Sequence, residues 1–249
     1  KLRAILFGYA CHNTTLTQAN YQFCGDYAGY AQDYLQTDHP GAVALFMTGC
    51  GGDQNPYPRS THPLAQTHGR PLATAVDAAL GTRAKPLTGA LRSAYTEIDL
   101  RYAGVPTRAE YEQRRSAKDR LTAEHAGRML ARWDREGSLP ASYPYPIQVV
   151  RLGDGLQLVA LGGEVVVDYS LRLKRELGGA GAVWVAGYSN DVLGYIPNER
   201  VLREGGYEGL QASRLGNLHP SPWAPGLEEQ IIGQVRELAR GVAPAASPR

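Results

Sequence analysis

Four groups able to bind a metal or polarise a carbonyl stand just beyond apolar runs. They are His12 after residues 3–10, Asp53-Gln54-Asn55 after 42–47, Glu164 after 156–161, and Tyr195 downstream of 182–186. In open α/β sheets ligands bind in crevices at strand termini, so groups dispersed along the chain can meet there. A histidine, a carboxylate and a further oxygen donor suit Zn2+, which takes nitrogen and oxygen ligands and keeps an open position for water. Each residue also has a plainer role. His12 can be a hydrogen-bonded histidine at a strand end, and Glu164 can cap the helix after it, worth roughly 0.3–1 kcal/mol. Tyr195 is one of 15 tyrosines, for which packing is the default use. A phenol ionises near pH 10, so tyrosine ligation needs a strong positive field. His39, His62, His68, His125 and His219 carry no comparable pattern.

Other chemistries fit less well. The glycine loop at 49–56 exposes backbone N–H groups but lacks the Gly-Lys-Ser/Thr ending of a phosphate loop. Cys11 beside His12 and Cys50 in the glycine loop invite a thiol nucleophile, yet neighbours on a strand point to opposite faces. Buried free thiols are the expectation, with a Cys11–Cys24 bridge left open. Three cysteines without a Cys-x-x-Cys pair exclude a disulfide-dense scaffold and a cysteine zinc finger.

The elements that must position these groups are readable from hydrophobic spacing. Residues 3–10 and 42–47 read as strands around a helix at 26–38, with Asp26 as its N-cap, and a second helix follows at 63–80. Residues 89–103 alternate as a strand. Between 107 and 136 charged helix formers dominate, and Thr107 with Glu110 makes a capping box, which predicts a peripheral helical insertion. A Pro/Tyr-rich connection at 140–146 precedes strands at 147–152 and 156–161, joined by the Gly153-Asp154-Gly155 turn. A helix at 165–177, a strand at 182–186 and a last helix at 227–240 complete the pattern. The fold class expected is α/β, a mixed β-sheet flanked by helices with a helical insertion, occupying 1–242 as one domain before a flexible tail at 243–249.

Composition bounds the function. The chain has 249 residues, 43% of them apolar, enough for a sizeable core. Lys plus Arg is 26 against 24 Asp plus Glu, a net charge of +2, which disfavours a surface built for nucleic-acid phosphates. No run of about 18 apolar residues predicts a transmembrane segment. Lys1 opens directly onto an apolar run, which reads as a truncated N-terminus.

At the candidate site residues the chain resembles the catalytic domain of the neutral/alkaline, non-lysosomal ceramidases, zinc amidohydrolases that cut a sphingolipid amide. Residues 4–15 are similar to the family's strand ending in His-Pro-Thr-Ser. Gly25-Asp26-Tyr27-Ala28-Gly29-Tyr30-Ala31 is similar to its Ser-Asp-Asn-Lys-Gly-Tyr-Ala, Gly52-Asp53-Gln54-Asn55-Pro56 to its Gly-Asp-Val-Ser-Pro, and Gly163-Glu164 to its glycine and zinc-binding glutamate. Asn190 to Tyr195, then Tyr207-Glu208, resembles its Asn-x-Tyr-x-x-Tyr and later Tyr-Glu. The resemblance implies zinc held by His12, Glu164 and Tyr195, with Tyr207 polarising the substrate carbonyl. Asp53 and Gln54 would bind substrate, and Asn55, where the family has its catalytic serine, would position substrate or water. It also implies a first zinc-binding histidine, a general base and an arginine from a segment before Lys1, and hence a fragment inactive by itself. A small-molecule or lipid amide substrate, contact with a membrane surface and a secreted or periplasmic location are the further implications. Asn55 has no ionisable hydroxyl, which motivates an alternative, a non-catalytic glycan- or lipid-binding descendant. A metal-independent serine or cysteine hydrolase is the third reading.

Overall fold

The computed structural model describes residues 1–215 and 219–243, so the expected tail falls outside the described residues except for Ala243. Strand β1 (Ala4–Tyr9) pairs in parallel with β2 (Val43–Thr48), and the crossover between them is helix α1 (Asp26–Asp38). Tyr27, Ala28, Ala31 and Leu35 make the buried stripe of α1, at the spacing the sequence predicts. Asp26 is not a side-chain cap. It takes a left-handed φ of 55°, and its carboxylate accepts from the Leu16 and Tyr27 N–H groups, tying the preceding loop to the helix start. Helix α2 (His62–Leu80) crosses α1 closely because position 69 is glycine: a Cβ there would stand 2.7 Å from the Tyr27 carbonyl oxygen and 3.0 Å from the Ala31 nitrogen.

The second sheet has the order β3-β4-β5-β7, with β3 (Leu91–Arg101), β4 (Ser142–Leu152) and β5 (Leu156–Leu161) antiparallel and β7 (Val183–Ala186) parallel to β5. Residues 142–146, expected as a connection, belong to β4. Prolines are tolerated there because β5 pairs only from Ile147 onward. The Pro146 carbonyl accepts from Gly162 at 3.3 Å, so its missing N–H lies on the side where β5 has already ended. An isolated bridge between Gly49 and Ala186 joins the end of β2 to β7. Helix α5 (Val167–Leu177) packs on β7, and α8 (Leu227–Gly241) packs across β3 and β4. Leu173, Ile231, Ile232 and Val235 reach zero exposure on that interface. The fold is α/β.

The insertion is a pair of helices, α3 (Arg108–Arg115) and α4 (Arg120–Glu136), and the Thr107/Glu110 capping box is formed. It is not solvated all round: Tyr111, Ala126, Met129 and Leu130 make a small core of their own. Tyr111 Oη donates to the Pro220 carbonyl at 2.5 Å, anchoring the pair to the segment before α8. Three short helical features were not expected, α6 (Glu199–Glu204), a π-helical turn over Tyr207–Gln211 and α7 (Ala212–Leu215). They are too short for periodicity to reveal.

Candidate metal centre

Local backbone pairing brings the candidate groups together. Two-residue strands β6 (Glu164–Val165) and β8 (Tyr195–Ile196) run parallel with Glu164 opposite Tyr195, so both side chains leave the same face. This register needs Gly163, whose φ is 72° and whose Cβ, if present, would stand 2.7 Å from the Gly194 carbonyl oxygen. The Tyr195 carbonyl is held in turn by the Trp223 indole N–H at 2.9 Å. His12 lies just past β1, and the glycine loop runs between it and Glu164. A Cβ on Gly51 would be 2.7 Å from the Cys11 nitrogen, and one on Gly52 would be 2.4 Å from the Glu164 carbonyl oxygen. The loop glycines therefore permit backbone-to-backbone packing, which is a different reason from the phosphate cradle weighed above.

The result is a cluster around one nitrogen. His12 Nε2 has Glu164 Oε2 at 2.9 Å, Tyr188 Oη at 3.2 Å and Tyr195 Oη at 3.3 Å. On its other side Nδ1 donates to the Gln54 carbonyl at 2.8 Å. That carbonyl can only accept, so Nδ1 carries the hydrogen and the neutral ring presents a lone pair at Nε2 to a carboxylate. Two acceptors then face each other, and a proton or another cation must lie between them. The Glu164 hydrogen bond accordingly raises the His12 pKa against the opposing effect of burial. Burial, reinforced by Glu164, holds both phenols above their ordinary pKa.

The donor set fits zinc. An imidazole nitrogen oriented by a backbone carbonyl through its other nitrogen, beside a carboxylate, is the usual arrangement of a metal-ligating histidine. Among the described residues no three His, Cys, Asp or Glu side chains gather at one point, and the further oxygen donors beside His12 and Glu164 are the Tyr188 and Tyr195 phenols. Tyr188 was not singled out from the sequence. It stands just past β7, where the same strand-end rule that selected His12 would have found it. Its φ of 53° places a bulky residue in the left-handed region, a cost of order 1–3 kcal/mol.

The remaining candidates sit around this cluster. Asp53 Oδ1 accepts from the Val167 N–H at 2.8 Å, so it caps α5, the role weighed for Glu164, whose side chain faces His12 instead. Gln54 contributes its backbone carbonyl. Asn55 Oδ1 accepts from Thr14 Oγ1 at 3.1 Å and from Arg59 at 3.4 Å. Tyr207 is 44% exposed and stacks edge-on against Tyr195 with ring centres 5.4 Å apart. A groove of about 440 Å³ opens alongside, lined among others by Tyr9, Cys11, Tyr27, Asn55, Tyr57 and Leu72. Cys11 and Cys24 are both free thiols, so the bridge left open is not formed.

No protein-family model matches the chain, and no curated protein does. Solved structures do match. The crystal structure of neutral ceramidase from Pseudomonas aeruginosa aligns over 100% of this chain and 46% of its own, with a TM-score of 0.68 and 18% identity. The chain has the neutral ceramidase fold. A ceramidase complexed with C2 gives a TM-score of 0.67 at 18% identity, over 99% of this chain and 47% of that one. The chain thus spans under half the length of either ceramidase structure. On the ceramidase fold His12, Glu164 and Tyr195 occupy three separate strand ends, positions 152 and 31 residues apart along the chain, and are joined by side-chain contacts of 2.9 and 3.3 Å.

Proposed function

We propose that the chain carries the centre of a zinc-dependent amide hydrolase acting on an N-acyl amide or sphingolipid-like substrate. The observation that supports this most is the convergence of Glu164 and Tyr195 on His12 Nε2 while Nδ1 is fixed by Gln54. His12, Glu164 and Tyr195 would hold the zinc. When bound, zinc supplies Lewis acidity to a water and to an amide carbonyl.

The chain's own side chains do the rest. Gln54 keeps His12 in one tautomer, so its Nε2 lone pair stays directed into the site. Tyr207, whose ring packs edge-on against Tyr195, would donate a hydrogen bond from its hydroxyl to the oxygen that gains charge as the amide is attacked. Because the Asn55 Oδ1 accepts from Thr14 and Arg59, its amide nitrogen is the end presented to a substrate carbonyl. The groove beyond Asn55, walled by tyrosine rings and Leu72, takes the acyl substituent; its volume lies in the range of small-molecule sites. Among the described residues no helix is long and apolar enough to cross a membrane.

The test is metal dependence. Zinc should bind one equivalent per chain, and His12→Ala and Glu164→Gln should each weaken binding by about tenfold to 100-fold or more. In the full-length protein, turnover of fluorogenic N-acyl amides should follow zinc content and stop with a chelator. Turnover indifferent to chelator and to both substitutions ends the proposal. Zinc binding with tight amide or glycan binding but no turnover favours the non-catalytic descendant, for which Asn55 in the serine position is the motive.

A further inference from the structure

We propose that Arg59, beside Asn55, recognises an anionic group, a carboxylate or a phosphate, on the amine half of the amide substrate. The inference rests on the amide-hydrolase reading above and narrows its substrate class.

Arg59 is a cation without a counterion. Its guanidinium carries five N–H donors, of which one reaches Asn55 Oδ1 at 3.4 Å, and among the described residues no carboxylate pairs with it. Arg70 on the following helix, by contrast, is paired with Asp38. The acidic groups of the site are already engaged, Asp53 in capping α5 and Glu164 in facing His12.

The segment that carries Arg59 is pinned on both sides. His68 Nε2 donates to the Pro58 carbonyl at 2.7 Å, and the Ser60 N–H donates to the Thr15 carbonyl at 2.7 Å. Ser60 is held at φ 102°, where glycine is the unstrained residue, and such a conformation persists only where the surroundings enforce it. Thr61, next in the chain, accepts from the Leu64 N–H and opens the 19-residue α2, whose positive end adds to the field of the guanidinium.

Position relative to the reacting groups supplies the rest. Thr14 and Arg59 occupy Asn55 Oδ1, so Asn55 Nδ2 is the donor for the substrate carbonyl and the Arg59 guanidinium is its neighbour on the same rim. One loop serves both halves of the amide. Tyr57, 89% exposed, gives its ring to the groove that Tyr9, Tyr27 and Leu72 also wall, while Arg59 stays outside that lining. An apolar acyl group suits the groove, so the charge belongs on the amine side. In an N-acyl amino acid the carboxylate follows the amide nitrogen by a single carbon, which brings it to the donor next to Asn55. Arginine binds carboxylates and phosphates alike through paired N–H groups.

Calorimetric binding to the 249-residue chain tests this without turnover. Three probes share one acyl group: octanoylglycine, N-octanoyl phosphoethanolamine and the neutral octanoylethanolamine. At least one anionic conjugate should bind about tenfold or more tighter than the neutral one, the scale of a charge-assisted hydrogen bond. The tighter of the two anionic probes tells carboxylate from phosphate. Added salt should shrink the difference, because Arg59 is exposed. Arg59→Gln should abolish it, and Arg59→Lys, charged but without the planar fork, should keep part of it. In the full-length protein the ratio of kcat/KM between anionic and neutral conjugates should follow the same order. Equal binding of all three probes, binding of none, or a preference that survives Arg59→Gln overturns the inference. Arg59-dependent binding with turnover absent or indifferent to a chelator overturns the zinc-hydrolase reading and leaves the anion rim standing.

Discussion

At the residue scale the chemistry of the centre is set by which groups are left able to ionise. The Cys50 thiol is fully buried and pushed up to about 12, and burial raises Cys11 as well, so neither is a thiolate near neutral pH. Cys24 is exposed. Iodoacetamide applied to the native protein should therefore add one label, at Cys24, and three after unfolding, as counted by intact mass and peptide mapping. A native adduct at Cys11 or Cys50 would revive the thiol-hydrolase reading. His12 owes its readiness for a cation to two neighbours of different kinds, the Gln54 carbonyl that takes its Nδ1 hydrogen and the Glu164 carboxylate facing Nε2. Neither neighbour is adjacent to it in sequence.

At the element scale the helices and strands act as holders with specific joints. The N-terminus of α5 is capped from outside itself: Val166 offers no side-chain acceptor, and Asp53 from the glycine loop supplies one. The same loop separates His12 from Glu164, so the cap fixes the loop, and the loop fixes the distance between two candidate ligands. Asp53→Ala should lower stability by about 0.5–2 kcal/mol in urea unfolding, whether or not substrate is present. A loss confined to substrate affinity would return Asp53 to the binding role expected from the sequence. Two-residue strands β6 and β8 are too short to hold together alone, and their register depends on Gly163 and on the Trp223 indole behind Tyr195.

At the scale of the whole molecule, the helical insertion, the segment before α8 and the main sheet meet at His219. His125 of α4 lies 2.7 Å from the His219 carbonyl through its Nε2, and the His219 ring packs edge-on against Trp223 and Tyr102. Burial, with a smaller contribution from His125, lowers the His219 pKa to about 4. The ordinary value near 6.5 applies to the unfolded chain, so the unfolded state takes up the proton first. Stability should be full above about pH 6.5, fall as pH drops, and level off below about 4, a loss of about 3 kcal/mol. Urea midpoints measured from pH 7.5 to 4 should show this slope, and His219→Phe should flatten it. An unchanged acid slope in that variant would place the titration elsewhere.

Local chemistry was written in the amino-acid order: the buried stripe of α1, the Thr107/Glu110 capping box, the hairpin turn at 153–155, and polar groups waiting at strand ends. These depend on neighbours within a turn or two, where spacing and side-chain type suffice. The resemblance extended that reading to the ceramidase fold. What the chain order could not settle was who meets whom. The glycines at 51, 52 and 163 signalled close approach to something, and only the packed chain shows that the something is its own backbone. Asp53 caps α5, the plainer role weighed for Glu164, while Glu164 faces His12, because a cap and a ligand differ only in what stands opposite. Tyr188 is not legible in the chain order, since a phenol at a strand end becomes a partner of His12 only when β1, β6, β7 and β8 are brought side by side, and that depends on contacts between residues more than 150 positions apart.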